Sequence, residues 1–426
     1  MNKSAKRTDG RRADGGGQLW LRLPAMVREA LYDTLMVTGL ACMDEVLEAE
    51  RAALCGVRYA HQAQRQAQRA GHVPSSLVLG GRRVTVSRPR VRSVAGRELK
   101  LPSWREWSAR DPLEARALEQ MVLRVSTRRY ARSLEPLPAP VATRGTSKSA
   151  VSARFVYGTE RKLGELLSRD LHGLKLVALI IDGVHFGQHV VLAAVGVDER
   201  GHKHVLGLRE GATENAAAVK ALLADLVERG LDTNRSLLIV IHGAKALHKA
   251  VAEVFGRRAL IQRSREHKKR NVTEALPERL RAGVRSAMVQ AYATRNAKCA
   301  RRLLENLARQ LEHQHPGAAA SLREGLEETL TVMRLDLPEN LERILSSTNL
   351  IENLFSRVRE IGRRVKRWQS GTMLLRWTAA GVIEAERGFR KLAGYRARPT
   401  LVAALRAHDA QLDRSEGTLD TVQDAA

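Results

Sequence analysis

The sequence predicts a mixed α/β core, interrupted by an all-helical insertion and preceded by a mainly helical region with a short β-ribbon. Three observations predict it. Two apolar runs, LKLVALIID and RSLLIVIH, have the length and β-branched content of buried strands. The segments ENAAAVKALLADLVERG and GAKALHKAVAEVFG carry the apolar spacing of amphipathic helices. Beyond Gly256 strand signals fade and apolar residues recur at helical spacing: Leu276, Leu280, Val284 and Met288, then Leu303, Leu307 and Leu311, then Leu322, Leu326 and Leu330.

Composition narrows the function. At about 150 residues per domain, 426 residues make two or three domains with real cores. Hydrophobic residues are 44% and charged residues 28%, which describes a globular chain. Seventy-two Lys and Arg against 46 Asp and Glu give a formal charge of +26, which calls for a polyanionic partner. Nucleic acid suits it better than a membrane, because no apolar run approaches the ~18 residues of a spanning helix and no cleavable signal follows Met1. The chain therefore reads as soluble and intracellular. Cys42, Cys55 and Cys299 are too scattered for a disulfide framework or a Cys-rich zinc site. With aromatics at 4%, phosphate contacts rather than base stacking should dominate binding.

In chain order, residues 1–17 read as a disordered basic tail. Residues 18–110 begin with helical patterning at Leu31, Leu35 and Met43 to Ala53, then alternate in VPSSLVLGGRRVTVSRPRVRSV, a short basic β-ribbon. Residues 111–170 suggest three helices: one near Leu113 to Val125, one opened by Ser126 or Thr127, and one in GTSKSAVSARFV capped by Thr146 or Ser147. Helix, break and a helix led by short polar residues is helix-turn-helix logic. Ser147, Lys148, Ser149 and Arg154 would then face DNA, with Val151 and Phe155 inward. Plain three-helix packing has the same pattern.

Residues 171–258 hold a strand ending in Asp182, a hairpin across DERG, a helix, a strand ending at His242 and another helix. That is the opening order of a ribonuclease H-like fold, in which the first and fourth strands lie side by side and bring Asp182-Gly183 and His242-Gly243 to one edge. Residues 259–340 form the helical insertion, and 341–397 return to the core through a long helix from SSTNLIENLF through SRVREIGRRVKRW. Residues 398–426 read as a polar tail, frayed from Asp413. Phosphoryl transfer by two metals needs carboxylates converging on hard cations ~3.5–4 Å apart. An Asp at the end of the first strand, a second acid on the adjacent fourth strand and a Glu from a distant helix supply that set, although Asp182-Gly183 is also a common turn signal, and Asn349 with Glu352 is a capping box.

Across nearly the whole chain the sequence resembles the mutator-type transposases of bacterial insertion sequences. The resemblance runs from VLGGRRVTVSRPRVRS, VSTRRYARSLE and GTSKSAVSARFV through GLREGATENA and HPGAAASLREGLEETLTV to SSTNLIENLFSRVR, VKRWQSGTMLLRWTAA and EAERGFRKLAGYR. It implies a DDE triad on a ribonuclease H-like core, Mg²⁺ or Mn²⁺ as cofactor, and binding of the element's terminal inverted repeats and target DNA. It also implies a dimer or larger assembly on DNA, in the bacterial cytoplasm at the nucleoid. On this chain the catalytic positions fall at Asp182, His242 and Glu352, spaced by 60 and 110 residues, with Asp182 and Glu352 as metal ligands.

The chain departs from the family pattern at two places. Where the family has an acid followed by Gly-Ser-Lys-Ala-Leu, this chain reads His242-Gly-Ala-Lys-Ala-Leu. Ser264 stands where the family has Cys, while His267, Lys268, Arg270 and Asn271 are retained. Imidazole binds through one nitrogen, prefers softer ions than Mg²⁺ and cannot bridge two cations, so Mg²⁺-dependent activity should be impaired. His242 also suits a βα turn with no function. With Ser264 for Cys and His267 isolated, no zinc is expected. Two basic runs are candidate phosphate contacts and equally candidate solvated faces. One is Arg263, Arg265, Lys268, Lys269 and Arg270, around His267; the other is Arg357, Arg359, Arg363, Arg364, Lys366 and Arg367 beyond Glu352.

Overall fold

In a computed structural model, the structure describes residues 25–423 except 60–64, 80, 110–111, 135–136, 139–140, 145, 212–215 and 364. The expected basic tail, 1–17, lies outside the described residues. The chain divides into two compact units, Met1–Phe155 and Val156–Ala426.

In the first unit, helix α1 (Ala25–Cys55) packs on a hairpin of β1 (Ala67–Leu79) and β2 (Arg82–Ser93), with the short strands β3 (Glu98–Leu99) and β4 (Thr143–Arg144) on β2. The ribbon expected from alternation is thus present and longer than the pattern suggested. Leu31 and Leu35, read as helix patterning, are exposed; the inward stripe is Met36, Leu47 and Cys55. The hairpin turns at Gly81, with φ of 79°, and a Cβ there would lie 2.8 Å from Leu134 Cδ2. Tyr130, 1% exposed, donates its hydroxyl to the Gly81 carbonyl at 2.9 Å. Two of the ribbon's cations share one carboxylate, since Arg90 and Arg88 hydrogen-bond Glu98 and hold its carboxyl down to about 2.

Helices α2 (Pro102–Ala109) and α3 (Pro112–Val122) follow. The second of the three expected helices is absent: after α3 the chain turns at Arg124, with φ of 69°, and the only helical structure described before β4 is a 3-10 turn at Ala131–Ser133. Backbone reversal and the proline-rich LEPLPAP leave no room for a regular helix. The third does form, as α4 (Lys148–Leu167), and Ser147 accepts a bond from the Ala150 N–H. Ser147, Lys148 and Ser149 are exposed, Arg154 is half-buried, and Val151 and Phe155 are buried. The first unit ends within α4, at Phe155.

The second unit is built on a sheet of β5 (Leu176–Phe186), β6 (His189–Asp198), β7 (Lys203–Gly211), β8 (Leu237–Ile241) and β9 (Ala259–Arg263), in the order β7-β6-β5-β8-β9. The β5-β6-β7 neighbours are antiparallel, and β5-β8-β9 are parallel. Alternation assigns the faces. Leu179, Ile181, Leu237, Ile239 and Ile241 pack under α5 (Ala216–Glu228) and α6 (Lys245–Phe255). Ala178, Ile180, Val184, Leu238 and Val240 meet the helices that return late in the chain. The sheet is sandwiched between two helical layers.

Strand β9 was not anticipated, because a five-residue strand ending in Gln262 and Arg263 lacks the apolar continuity of its neighbours. It moves the start of the helical block past 259. That block runs through α7 (Arg265–Glu274), α8 (Glu278–Ala293), α9 (Ala297–Glu312), α10 (Pro316–Arg323) and α11 (Thr331–Arg334), around its own core. On α9 the buried stripe is Ala300, Leu304, Ala308 and Leu311; of the expected residues Leu311 is buried, Leu307 half-buried and Leu303 exposed. Next come α12 (Glu339–Leu345), α13 (Asn349–Gly362), α14 (Gly371–Arg387) and α15 (Arg398–Gln423). The helix carrying Glu352 therefore stops at Gly362 instead of continuing to Trp368. Trp368 packs edge-on against Phe186, 6.0 Å between ring centres.

The expected polar tail is a helix, docked on the core through Leu401 and Leu405 and continuing past Asp413 to Gln423. Its polar anchor is Asp409, which accepts from the Ser236 N–H at 2.8 Å, the Ser236 hydroxyl at 2.6 Å and Arg258 at 2.9 Å. Burial pushes the Asp409 carboxyl up, but these bonds together hold it below its usual value of 3.8. A depressed carboxylate stabilises the fold fully above its unfolded pKa and loses that contribution as pH falls through the folded one. Asp409→Ala is expected to lower stability by about 1–3 kcal/mol at neutral pH. The difference from wild type should vanish as pH drops below the ordinary carboxylate range, which urea titrations at several pH values measure.

Candidate active site

The parallel ladder between β5 and β8 ends at Ile181 paired with Ile241. The next residues, Asp182 and His242, are therefore neighbours by register. Asp182 is not the end of its strand, since β5 runs on to Phe186 against β6 alone. It is 3% exposed and sits at the point where the parallel partner stops. Even-numbered like Ile180 and Val184, it belongs to the face that α13 covers.

Helix α13 presents Glu352 to that face. Thr348 precedes the helix and makes no side-chain cap, so the capping box suggested by Asn349 and Glu352 does not form. The Glu352 carboxylate is instead 3.6 Å from Nε2 of His267. His267 arrives from the first turn of α7, directly beyond β9, whose register with β8 pairs Arg263 with Ile241. Its Nδ1 lies 3.2 Å from the Ser264 hydroxyl and 3.3 Å from that of Thr348. The start of α7 is tied to the end of α12, just ahead of α13, by the Arg265 N–H to the Ser346 carbonyl at 2.9 Å and by Arg265 to Glu342 at 2.8 Å.

Asp182, His267 and Glu352 each offer one metal-ligating atom, all within 4.8 Å of one another. Burial pushes the His267 imidazole below its usual pKa, opposed by the Asp182 carboxylate, which favours the neutral form that can act as a ligand. His242 stands beside them, Nδ1 3.2 Å from Asp182 Oδ1, its ring centre 5.5 Å from that of His267. These side chains line a cleft of about 550 Å³, with Arg270 and Arg359 at its walls. Two anionic side chains flanked by two arginines form a place where a phosphodiester and a cation can be held together.

The candidate DNA contacts fare differently. Arg270 is exposed and lines the cleft. Arg263 and Lys268 do not face solvent. Arg263 is 5% exposed and paired with Glu328, and Lys268 is 2% exposed with its ammonium on the carbonyls of Ser321 and Glu324. Both serve the seam between sheet and helical block, which a run of cations in sequence cannot reveal. His267, read as isolated and as a DNA contact, joins the carboxylates. Arg357 is exposed but five residues from Glu352, hence off its helical face; Ser356 and Arg359, at four and seven residues, line the cleft. Arg363, Lys366 and Arg367 are exposed at and beyond the helix end, and Arg364 lies outside the described residues. The helical spacing from Glu352 is the signal that would have found Arg359 as the relevant cation.

The family model described as "Transposase, Mutator family" matches residues 25–386. The chain is 27% identical over 358 residues to the transposase for insertion sequence element ISRM5 of Rhizobium meliloti, covering 83% of this chain and 88% of that protein. It is 28% identical over 369 residues to the transposase for element IS406 of Burkholderia multivorans, covering 81% and 90%. Against the transposase for element IST2 of Acidithiobacillus ferrooxidans it is 29% identical over 185 residues, 43% of this chain and 61% of that protein. This last match spans less than two thirds of the relative.

The Arg265 to Glu342 pair is buried on both sides, and removing one partner leaves a charge in the interior. Glu342→Ala is expected to cost about 3–5 kcal/mol in a denaturant titration. Glu342→Gln, which keeps an acceptor, should cost distinctly less.

Proposed function

This chain belongs to the Mutator family of transposases, and from that membership we propose that it serves the transposition of an insertion element but cuts and joins DNA poorly with Mg²⁺. In this reading the second unit is a ribonuclease H-like core with Asp182 and Glu352 as the catalytic acids. The first unit recognises terminal inverted repeats, through its ribbon and the exposed start of α4, in helix-turn-helix fashion or otherwise. Arg270 and Arg359 hold the phosphodiester at the cleft. The protein works as a dimer or larger assembly on DNA, at the nucleoid. Among the described residues no helix is long and apolar enough to cross a membrane.

The observation that carries the reading is the place of His242. A pair of Mg²⁺ ions needs a carboxylate beside Asp182, and an imidazole occupies that place with its Nδ1 at 3.2 Å from Asp182 Oδ1. Asp182 Oδ1 also accepts the Gly183 N–H at 2.9 Å, so the oxygen facing His242 is already engaged by the backbone. The residues present do not suit two hard cations. The same observation favours a second reading, a copy that binds element ends without catalysis and competes with active copies.

Cleavage and strand joining on DNA bearing the cognate ends, comparing wild type with His242→Asp, tests both readings. The Asp variant is expected to be faster in Mg²⁺ by at least about a hundredfold, with a smaller gap in Mn²⁺. Equal rates in Mg²⁺ would refute the impairment, whereas two inactive proteins that still bind ends would favour the non-catalytic copy.

A further inference from the structure

We infer that the cleft holds one divalent cation per chain, of the borderline class that accepts nitrogen as well as oxygen (Mn²⁺, Co²⁺ or Zn²⁺), on Asp182, His267 and Glu352. The inference rests on the reading of Asp182 and Glu352 as the acids of the proposed reaction, and it replaces the ion pair that reading's family implies.

The donors present select the ion. Three ligand atoms from β5, α7 and α13 already lie within 4.8 Å of one another, a spacing that a single ion closes by small side-chain movements. Two are carboxylate oxygens and one is an imidazole nitrogen. A nitrogen donor disfavours Mg²⁺, which seeks six oxygens, and is accepted by the later first-row ions. The His267 ring is set by its neighbours: the Ser264 and Thr348 hydroxyls lie at its Nδ1 and leave Nε2 toward Glu352. Oriented imidazole of this kind is what holds a metal ligand in place.

His242 excludes the second ion. Its ring occupies the side of Asp182 where a second carboxylate would extend the site, and its contact is with Oδ1, the oxygen that also takes the Gly183 N–H. Only Oδ2 of Asp182 remains uncommitted to these two contacts. With an imidazole instead of a second carboxylate beside Asp182, the donors that converge here serve one cation and not two.

Mn²⁺ binding to the full chain, counted by electron paramagnetic resonance, tests the inference without any turnover. Wild type is expected to take up one equivalent, with nitrogen coupling from imidazole in its pulsed spectrum. Glu352→Gln and His267→Ala should each weaken binding by about tenfold or more, and His267→Ala should erase the nitrogen coupling. His242→Asp should raise the count to two. Two equivalents in wild type, no nitrogen coupling in wild type, or a single equivalent in His242→Asp would each overturn the inference. Binding of terminal-repeat DNA in EDTA, measured on the same preparations, reports separately on the transposase reading. Its loss would sink that reading while leaving the ion count as it stands.

Discussion

The parallel pairing of β5 with β8 is the constraint on which the rest of this protein depends. It stops at Ile181 and Ile241, so the residue after each emerges at the same edge of the sheet. Everything else at the cleft is arranged around those two positions. Strand β9 extends the parallel ladder by one, which delivers the first turn of α7 and His267 to the same edge. Helix α13 covers the face to which Asp182 belongs, and Glu352 completes the group. The chemistry available is thus decided by backbone register before any side chain is chosen. Changing the residue at 242 alters the donor set and not the place.

The helical block is more than an insertion hung on a loop. Its residues reach back into the sheet seam: Arg263 meets Glu328, Gln262 meets the Thr329 carbonyl and the Val332 N–H, and Lys268 caps two carbonyls near the end of α10. Arg265 then joins this seam to α12 through Glu342. Cations that look like a DNA-binding run are therefore structural, held inside by paired carboxylates and carbonyl oxygens. Those that remain at the cleft are few and specific.

Much of the core was legible in the sequence. Continuous apolar runs at 176–181 and 237–241 marked buried strands, and the order of strands and helices placed Asp182 beside position 242. Strand β9 was illegible because it is short and ends in polar residues whose partners are remote. The end of α13 was equally hidden, since Arg363 to Trp368 keeps a helical composition while Trp368 is drawn back to Phe186 by packing. His267 looked solitary because its neighbours come from residues 182 and 352. Spatial clusters of this kind have no local signature. The last helix misled for a related reason: its polar composition concealed Leu401, Leu405 and the Asp409 anchor, which act only against the folded sheet.

The closure of the second unit by distant segments bears on how the protein is made. Glu386 binds Arg169 through both oxygens, at 3.0 and 2.7 Å, and also accepts the Val205 N–H, while Asp409 secures Ser236. The sheet is synthesised first and waits for helices encoded near the end of the message. Contacts of such long sequence separation form late and slowly. A nascent chain halted before α13 exposes the apolar face of its strands and has neither Glu352 nor its cover, so truncated products are expected to aggregate rather than act. The cleft is thus complete only once the chain is translated nearly to its end.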